Sequence, residues 1–221
     1  MADNAETIGR TLTGQSKQLS GSVRITASQS VATYLLPPLL ARFRERETGI
    51  AIDIVASNAV SNLLRREADI AIRMVRPAQS SLVARRVGEV KIGAYARKDY
   101  LRRRGVPRNP GEMLRHDLIG LDRDESIIRT FAALGHRIER ENFSFRSDDH
   151  LVLWRALCAG LGIGFAASWL ADQEPALERV LPDIPIPRLQ VWLTVHREIR
   201  SSARIRMLYD FLAEGISSAL P

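Results

Sequence analysis

Two spacings of apolar residues take turns along the chain. Residues 23–26 (Val23-Arg24-Ile25-Thr26) alternate at period two, as a half-buried strand does, after a break at Ser20-Gly21-Ser22. Over 31–48 the residues Tyr34, Leu35, Leu39, Leu40 and Phe43 recur at helical spacing, with Gly49 as the C-terminal cap. Pro37 and Pro38 must lie in the first turn of this helix or bend it, because proline lacks the donor an interior position requires. Ile50–Ala56 reads as a strand, 60–67 as a helix and Ile70–Arg73 as a strand. Such a strand-helix-strand-helix-strand series implies parallel pairing with right-handed crossovers.

After Arg76-Pro77 the rhythm changes. Residues 82–87 and 91–97 read as two strands joined at Gly88-Glu89, and Lys98–Arg104 as a short helix closed by Gly105. Pro107 and Pro110 punctuate a loop; strand 117–121, helix 125–134 and strand 142–145 follow. The pattern predicts a helix over 148–159, with Leu151, Trp154, Leu157 and Leu161 on one face, then a strand over 163–166 and a short helix from 169. Residues 181–187 are a proline-rich crossing, 189–195 a strand, and 202–217 a final helix packed through Ile205, Leu208 and Leu212. One α/β unit is thus inserted in another. The expected division is a lead-in or the tail of a linker helix at 1–20, a first lobe of 21–96 plus 190–221, and a second lobe of 97–189. Two chain crossings make a hinge and place a cleft between the lobes.

Composition agrees with two small cores: of 221 residues 45% are hydrophobic and 26% charged. A single cysteine excludes an intramolecular disulfide framework. The first 20 residues carry no apolar signal core, and no apolar run approaches the roughly 20 residues a membrane span needs. A soluble, cytoplasmic protein without membrane contact is expected. The net charge of +7 raises the question of nucleic acid. Its basic residues are scattered in short groups such as Arg65-Arg66, Arg85-Arg86 and Arg102-Arg103-Arg104, without interleaved aromatics, so a base-stacking groove is not indicated.

Both lobes offer the same chemical device. The first strand runs into Ala27-Ser28-Gln29-Ser30 before its helix, and strand 142–145 runs into Arg146-Ser147-Asp148-Asp149 before another. Side-chain oxygens there cap exposed amides, and a helix N-terminus attracts anions by about 0.3–1 kcal/mol. Capping explains either loop alone; two loops facing one cleft indicate a ligand, which in open α/β sheets settles beyond the carboxyl ends of the strands. Arg73, ending the third strand, has the donor fork that suits a carboxylate, although a structural ion pair is the bland alternative. Asp148 and Asp149 oppose a polyanion and leave room for a small organic acid. Gly160, Gly162 and Gly164 follow a helix and precede a strand, so they form a helix stop with a tight lead into the strand; a dinucleotide loop opens a helix instead. His116, His136, His150 and His196 show no metal spacing with Cys158, which is most simply a small core residue, and no nucleophile–base pair is visible. No catalytic residue, metal or cofactor is expected.

The ordered set of short motifs resembles the effector-binding domain of LysR-type transcriptional regulators. It comprises Gly21–Ala27 with Ser28, Leu35-Leu36-Pro37-Pro38-Leu39-Leu40-Ala41-Arg42-Phe43, Ala68-Asp69 with Ile70–Arg73, and Ser81-Leu82-Val83-Ala84-Arg85-Arg86. Asp99-Tyr100-Leu101 with Gly105-Val106-Pro107, Ala159-Gly160-Leu161-Gly162-Ile163-Gly164, Trp192-Leu193 with His196, and Arg200-Ser201-Ser202 complete it. The resemblance implies a type-2 periplasmic-binding-protein-like α/β fold, with two Rossmann-like lobes joined by two crossover segments. It also implies an inducer cleft, pairing as a homodimer or tetramer, and DNA contact only through an N-terminal winged helix-turn-helix that this chain is expected to lack. Carried over position by position, it adds Ser57, Asn58 and Phe165 to Ser28, Gln29, Ser30, Arg73, Ser147 and Asp148 as effector-binding candidates. The family often has Leu-Pro where this chain has Ala166-Ala167, which bears on where the next helix begins. A solute-binding protein of a transporter has the same fold and is the alternative, though it needs export. Arg73→Ala is expected to abolish acid binding with little change in melting temperature.

Overall fold

The computed structural model describes residues 19–58, 68–198 and 202–220. The period-two segments pair into two five-stranded sheets. The first combines β1 (Gly21–Ala27), β2 (Ile50–Ala56), β3 (Ile70–Arg73), β4 (Leu82–Val90) and β10 (Leu189–His196) in the order β2-β1-β3-β10-β4. β1 is parallel to β2 and β3, and β10 runs antiparallel to β3 and β4. The second combines β5 (Ile92–Arg97), β6 (Leu118–Gly120), β7 (Phe143–Arg146), β8 (Ile163–Ala167) and β9 (Leu177–Val180) in the order β7-β6-β8-β5-β9. Here β6 is parallel to β7 and β8, while β5 is antiparallel to β8 and β9.

Each sheet has its own core. In the first, helix α1 (Leu36–Arg46) and the C-terminal helix Ala203–Ala219 lie on the sheet, with Phe43 and Phe211 5.2 Å apart. Ile25, Ile72, Leu193, Leu208 and Leu212 are sealed beneath them. In the second, one apolar cluster gathers Tyr100 and Leu101 of α2 (Lys98–Arg104), Met113 of α3 (Pro110–Met113) and Phe131 of α4 (Ser126–Ala133). Another holds Tyr95, Ile119, Ala156 and Leu157 of α5 (His150–Cys158), and Ala171 of α6 (Ser168–Ala171). The C-terminal helix is α7.

The structure revises several sequence expectations. β5 pairs wholly within the second sheet, so the chain leaves the first lobe at Lys91, five residues before the expected boundary at 96/97. Gly88-Glu89 is no strand joint: Gly88 stays inside β4, where a Cβ would stand 2.6 Å from the Leu220 carbonyl oxygen. Gly49 serves a close approach instead of a cap, since its Cβ would lie 2.5 Å from the Leu19 carbonyl oxygen, and the helix already ends at Glu47. Leu161 is 43% exposed, and Ala156 joins Leu157 on the buried face of α5 instead. α3 and β9 were not expected; Asn109 initiates the former, its Oδ1 accepting from the Glu112 amide at 2.9 Å. The expected helix at 60–67 lies outside the described residues. Ala167 itself precedes α6 in extended conformation, so the missing proline does not displace the helix start.

Candidate functional site

The carboxyl ends of β1, β2 and β3 in one lobe, and of β6, β7 and β8 in the other, carry most of the candidate residues. After β1 the chain enters a helical turn at once, with the Ala32 amide donating to the Ser28 carbonyl at 2.9 Å. Val31–Leu35 is a π-helical turn, closed by the Leu36 amide on the Val31 carbonyl, before α1 proper. Pro37 and Pro38 explain its place: without amide hydrogens they cannot bond the carbonyls four residues back, and the wider turn absorbs the break.

Gln29 links the two lobes. Its backbone amide donates to Asn58 Oδ1 at 3.1 Å, and Asn58 Nδ2 donates to Gln29 Oε1 at 2.7 Å. Its Nε2 donates across to Asp149 Oδ2 of the second lobe at 2.8 Å. Nearby, Tyr34 meets Trp154 of α5 edge-on, ring centroids 6.1 Å apart. The polar strand ends of the two lobes therefore meet each other directly.

The remaining candidates fall into two groups. Ser28 Oγ lies 3.9 Å from Met74 Sδ, the Ser57 amide donates to the Ala27 carbonyl, and the Ser30 side chain makes no cap bond. Ser147 Oγ accepts from the Asp149 amide at 3.1 Å. These stand around the contact between the lobes. Three others are engaged elsewhere. Asp148 accepts from the Arg123 amide and forms an ion pair with its side chain at 3.1 Å. Phe165 packs against Phe131 at 6.1 Å, within the second lobe's own cluster. Arg73 is 8% exposed; it donates to Thr26 Oγ1 at 2.7 Å and to the Ile72 carbonyl at 3.0 Å. Burial pushes its pKa down from the ordinary value.

Asp149 was not among the expected ligand residues, yet it is the pivot of the second loop. Its Oδ1 accepts from the Leu151 and Val152 amides at 2.8 and 3.1 Å, capping α5. The Val152 amide above all, helped by Gln29, the Leu151 amide and the charge of His150, holds its carboxyl below the usual range against the opposing effect of desolvation. His150 beside it is pushed down by burial, against the upward pull of Asp149, Asp124 and Asp148. The signal in the sequence was the cap itself, one residue later than the assumed helix start. Among the described residues no group of His, Cys, Asp and Glu is arranged to hold a metal.

Comparison with known proteins places this architecture. The family model of the LysR substrate binding domain matches residues 16–217. The HTH-type transcriptional regulator CrgA of Neisseria meningitidis serogroup C is 26% identical over 210 residues, covering 90% of this chain and 69% of that protein. The HTH-type transcriptional activator AaeR of Escherichia coli K12 is 26% identical over 175 residues, 77% of this chain and 55% of that protein. Among solved structures, the regulatory domain of CrgA superposes with a TM-score of 0.81 at 26% identity, covering 90% of this chain and 100% of that one. Two mixed five-stranded sheets, a double crossing and a family match over most of the length agree: the chain belongs to the LysR substrate-binding domain family, with a type-2 periplasmic-binding-protein-like fold.

Proposed function

We propose that this chain is the ligand-sensing and oligomerisation domain of a LysR-type transcriptional regulator, taking a small carboxylate-bearing effector between its lobes. The observation that carries the reading is the Gln29–Asp149 contact, which brings the carboxyl ends of the parallel strands of both sheets to one place. Ser28, Ser30, Ser57, Asn58 and Ser147 supply hydroxyl and amide groups around it. Arg73, whose guanidinium is held on Thr26 at the end of β3, is the cation assigned to the effector's carboxylate. Effector binding changes how the lobes sit and how protomers pack, with coupling on the order of 1–3 kcal/mol. DNA is contacted by a winged helix-turn-helix of the whole regulator, in the cytoplasm, and the lobes catalyse nothing. No helix among the described residues is long and apolar enough to cross a membrane. A transporter's solute-binding protein is disfavoured by the relatives, which are transcriptional regulators.

A thermal-shift screen of small organic acids tests this. A ligand at a hundred times its Kd stabilises the fold by about 2.7 kcal/mol, so a cleft-selective acid raises the melting temperature in a concentration-dependent way. A flat response across the screen would refute the carboxylate assignment.

A further inference from the structure

We propose that the side chain of Gln29 is an internal occupant of the cleft, which fastens the lobes until a ligand bringing its own N–H donor takes its place on Asp149. The ligand half of this rests on the effector reading above; the fastening half does not.

The carboxamide of Gln29 is used at both ends. Oε1 accepts from Asn58 within its own lobe, while Nε2 reaches the other lobe at Asp149 Oδ2. Asp149 divides its two oxygens in the same way. Oδ1 is committed to the Leu151 and Val152 amides, and Oδ2 faces Gln29. That oxygen is a carboxylate acceptor at the contact between the lobes, and a charge-assisted bond to it is stronger than one to a neutral group. Apart from the packing of Ile92, Ala167 and Trp169 on the first lobe's core, a further contact between the lobes, Tyr34 on Trp154, lies five residues further along each chain segment. On the first-lobe side Tyr34 lies in the π-turn that begins two residues after Gln29. A polar and an aromatic contact thus lie side by side where the strand ends of the two lobes meet.

A ligand seated there must replace what Gln29 gives. An acid with no other polar group cannot, since its carboxylate would confront that of Asp149. An amino or amido acid can, placing ammonium or amide N–H on Oδ2 and leaving its carboxylate for the hydroxyls and amides of the facing loop.

Two measurements test the proposal. Spin labels at Glu45→Cys in α1 and Ala132→Cys in α4, both exposed positions, in a Cys158→Ser background, report the separation of the lobes without any ligand. Gln29→Ala is expected to lengthen and broaden the distance distribution, and Gln29→Glu, which sets two carboxylates face to face, to do so further. Unchanged distributions in both variants, with circular dichroism confirming the fold, overturn the fastening. The second measurement is thermal shift with matched pairs of acids, propanoate against alanine and succinate against asparagine. The amine- or amide-bearing member is expected to stabilise, with a midpoint lower in Gln29→Ala and roughly tenfold or more higher in Asp149→Asn, which keeps a capping oxygen but offers the ligand a donor. Stabilisation by the donor-free acids alone overturns the ligand half and leaves the effector reading standing. Silence from the whole panel overturns both of these, while the distances still decide the fastening.

Discussion

Asp149 accepts three hydrogen bonds on one carboxylate, two that cap α5 and one from Gln29, and its replacements should separate the cap from the contact between lobes. Asp149→Ala removes the cap of α5 and is expected to cost about 1 kcal/mol, read as a lower melting temperature; Asp149→Asn keeps a capping oxygen and should lose less. Because folding lowers this carboxyl's pKa, its contribution is fully present above the unfolded value of about 3.9. It is lost as pH falls through the lower folded value, so the stability gap between wild type and Asp149→Asn should close in urea melts below about pH 4. A gap that stays constant down to pH 2 would contradict the assignment. Arg73 needs the opposite correction. A strand-end arginine in a sequence reads as exposed, and Arg73→Ala was expected to spare stability. At 8% exposure, with its guanidinium on Thr26 and the Ile72 carbonyl, the same change removes buried charge-assisted bonds, while the Thr26 hydroxyl keeps the Val55 carbonyl, and should cost about 1–3 kcal/mol. The burial of Arg73 was not readable in the sequence, and the cap was readable only as one of two adjacent aspartates. Asp148 and Asp149 are the same residue type, and only where β7 ends, at Arg146, decides which one caps the helix.

At the scale of elements, the glycines after α5 were legible in the sequence, while Gly49 and Gly88 were not, because a close approach of distant backbone leaves no local pattern. Gly160 closes α5 with φ +79°, its amide on the Leu157 carbonyl and the Leu161 amide on the Ala156 carbonyl, which is the paired C-terminal bonding expected of a helix stop. Gly162, two residues on, admits no side chain: a Cβ would stand 2.1 Å from the Asp117 carbonyl oxygen. Gly162→Ala is therefore expected to destabilise the second lobe by about 1–3 kcal/mol or more by displacing backbone, detectable by chemical denaturation. In α7 the apolar stripe was equally plain, and Leu212→Ala, emptying a fully buried site, should cost about 2–5 kcal/mol. β9 escaped notice because Glu178 and Arg179 interrupt its two buried ends, Leu177 and Val180, and leave no period-two pattern. The π-turn escaped for a different reason. Two adjacent prolines announce a break in the ladder, and the way the chain closes around that break depends on packing that no local pattern records.

For the whole molecule the order of the strands determines what lies at the rims. The inserted unit was legible because a β/α rhythm starts anew within another, yet the crossing at Lys91 was not, since β4 and β5 follow one another with a single residue between them. The edges of the two sheets are β2, β4, β7 and β9. An exposed edge invites pairing with another chain unless charge or a covering element protects it. β4 carries Arg85 and Arg86, and α7 lies against it, with Ser217 donating to the Val87 carbonyl. β9 carries Glu178 and Arg179, and β7 ends in Arg146. β2 has one acidic side chain, Asp53, beside Ile54, which is 40% exposed. For the oligomerisation proposed above, this rim is the place we propose for the protomer contact. Ile54→Arg should give a monomer by light scattering where the wild type is expected to show twice the chain mass, with its melting temperature otherwise little changed, since a surface substitution alone is worth within about 0.5 kcal/mol. A wild-type chain that stays monomeric at high concentration, or an Ile54→Arg variant that still pairs, would move the protomer contact away from this strand.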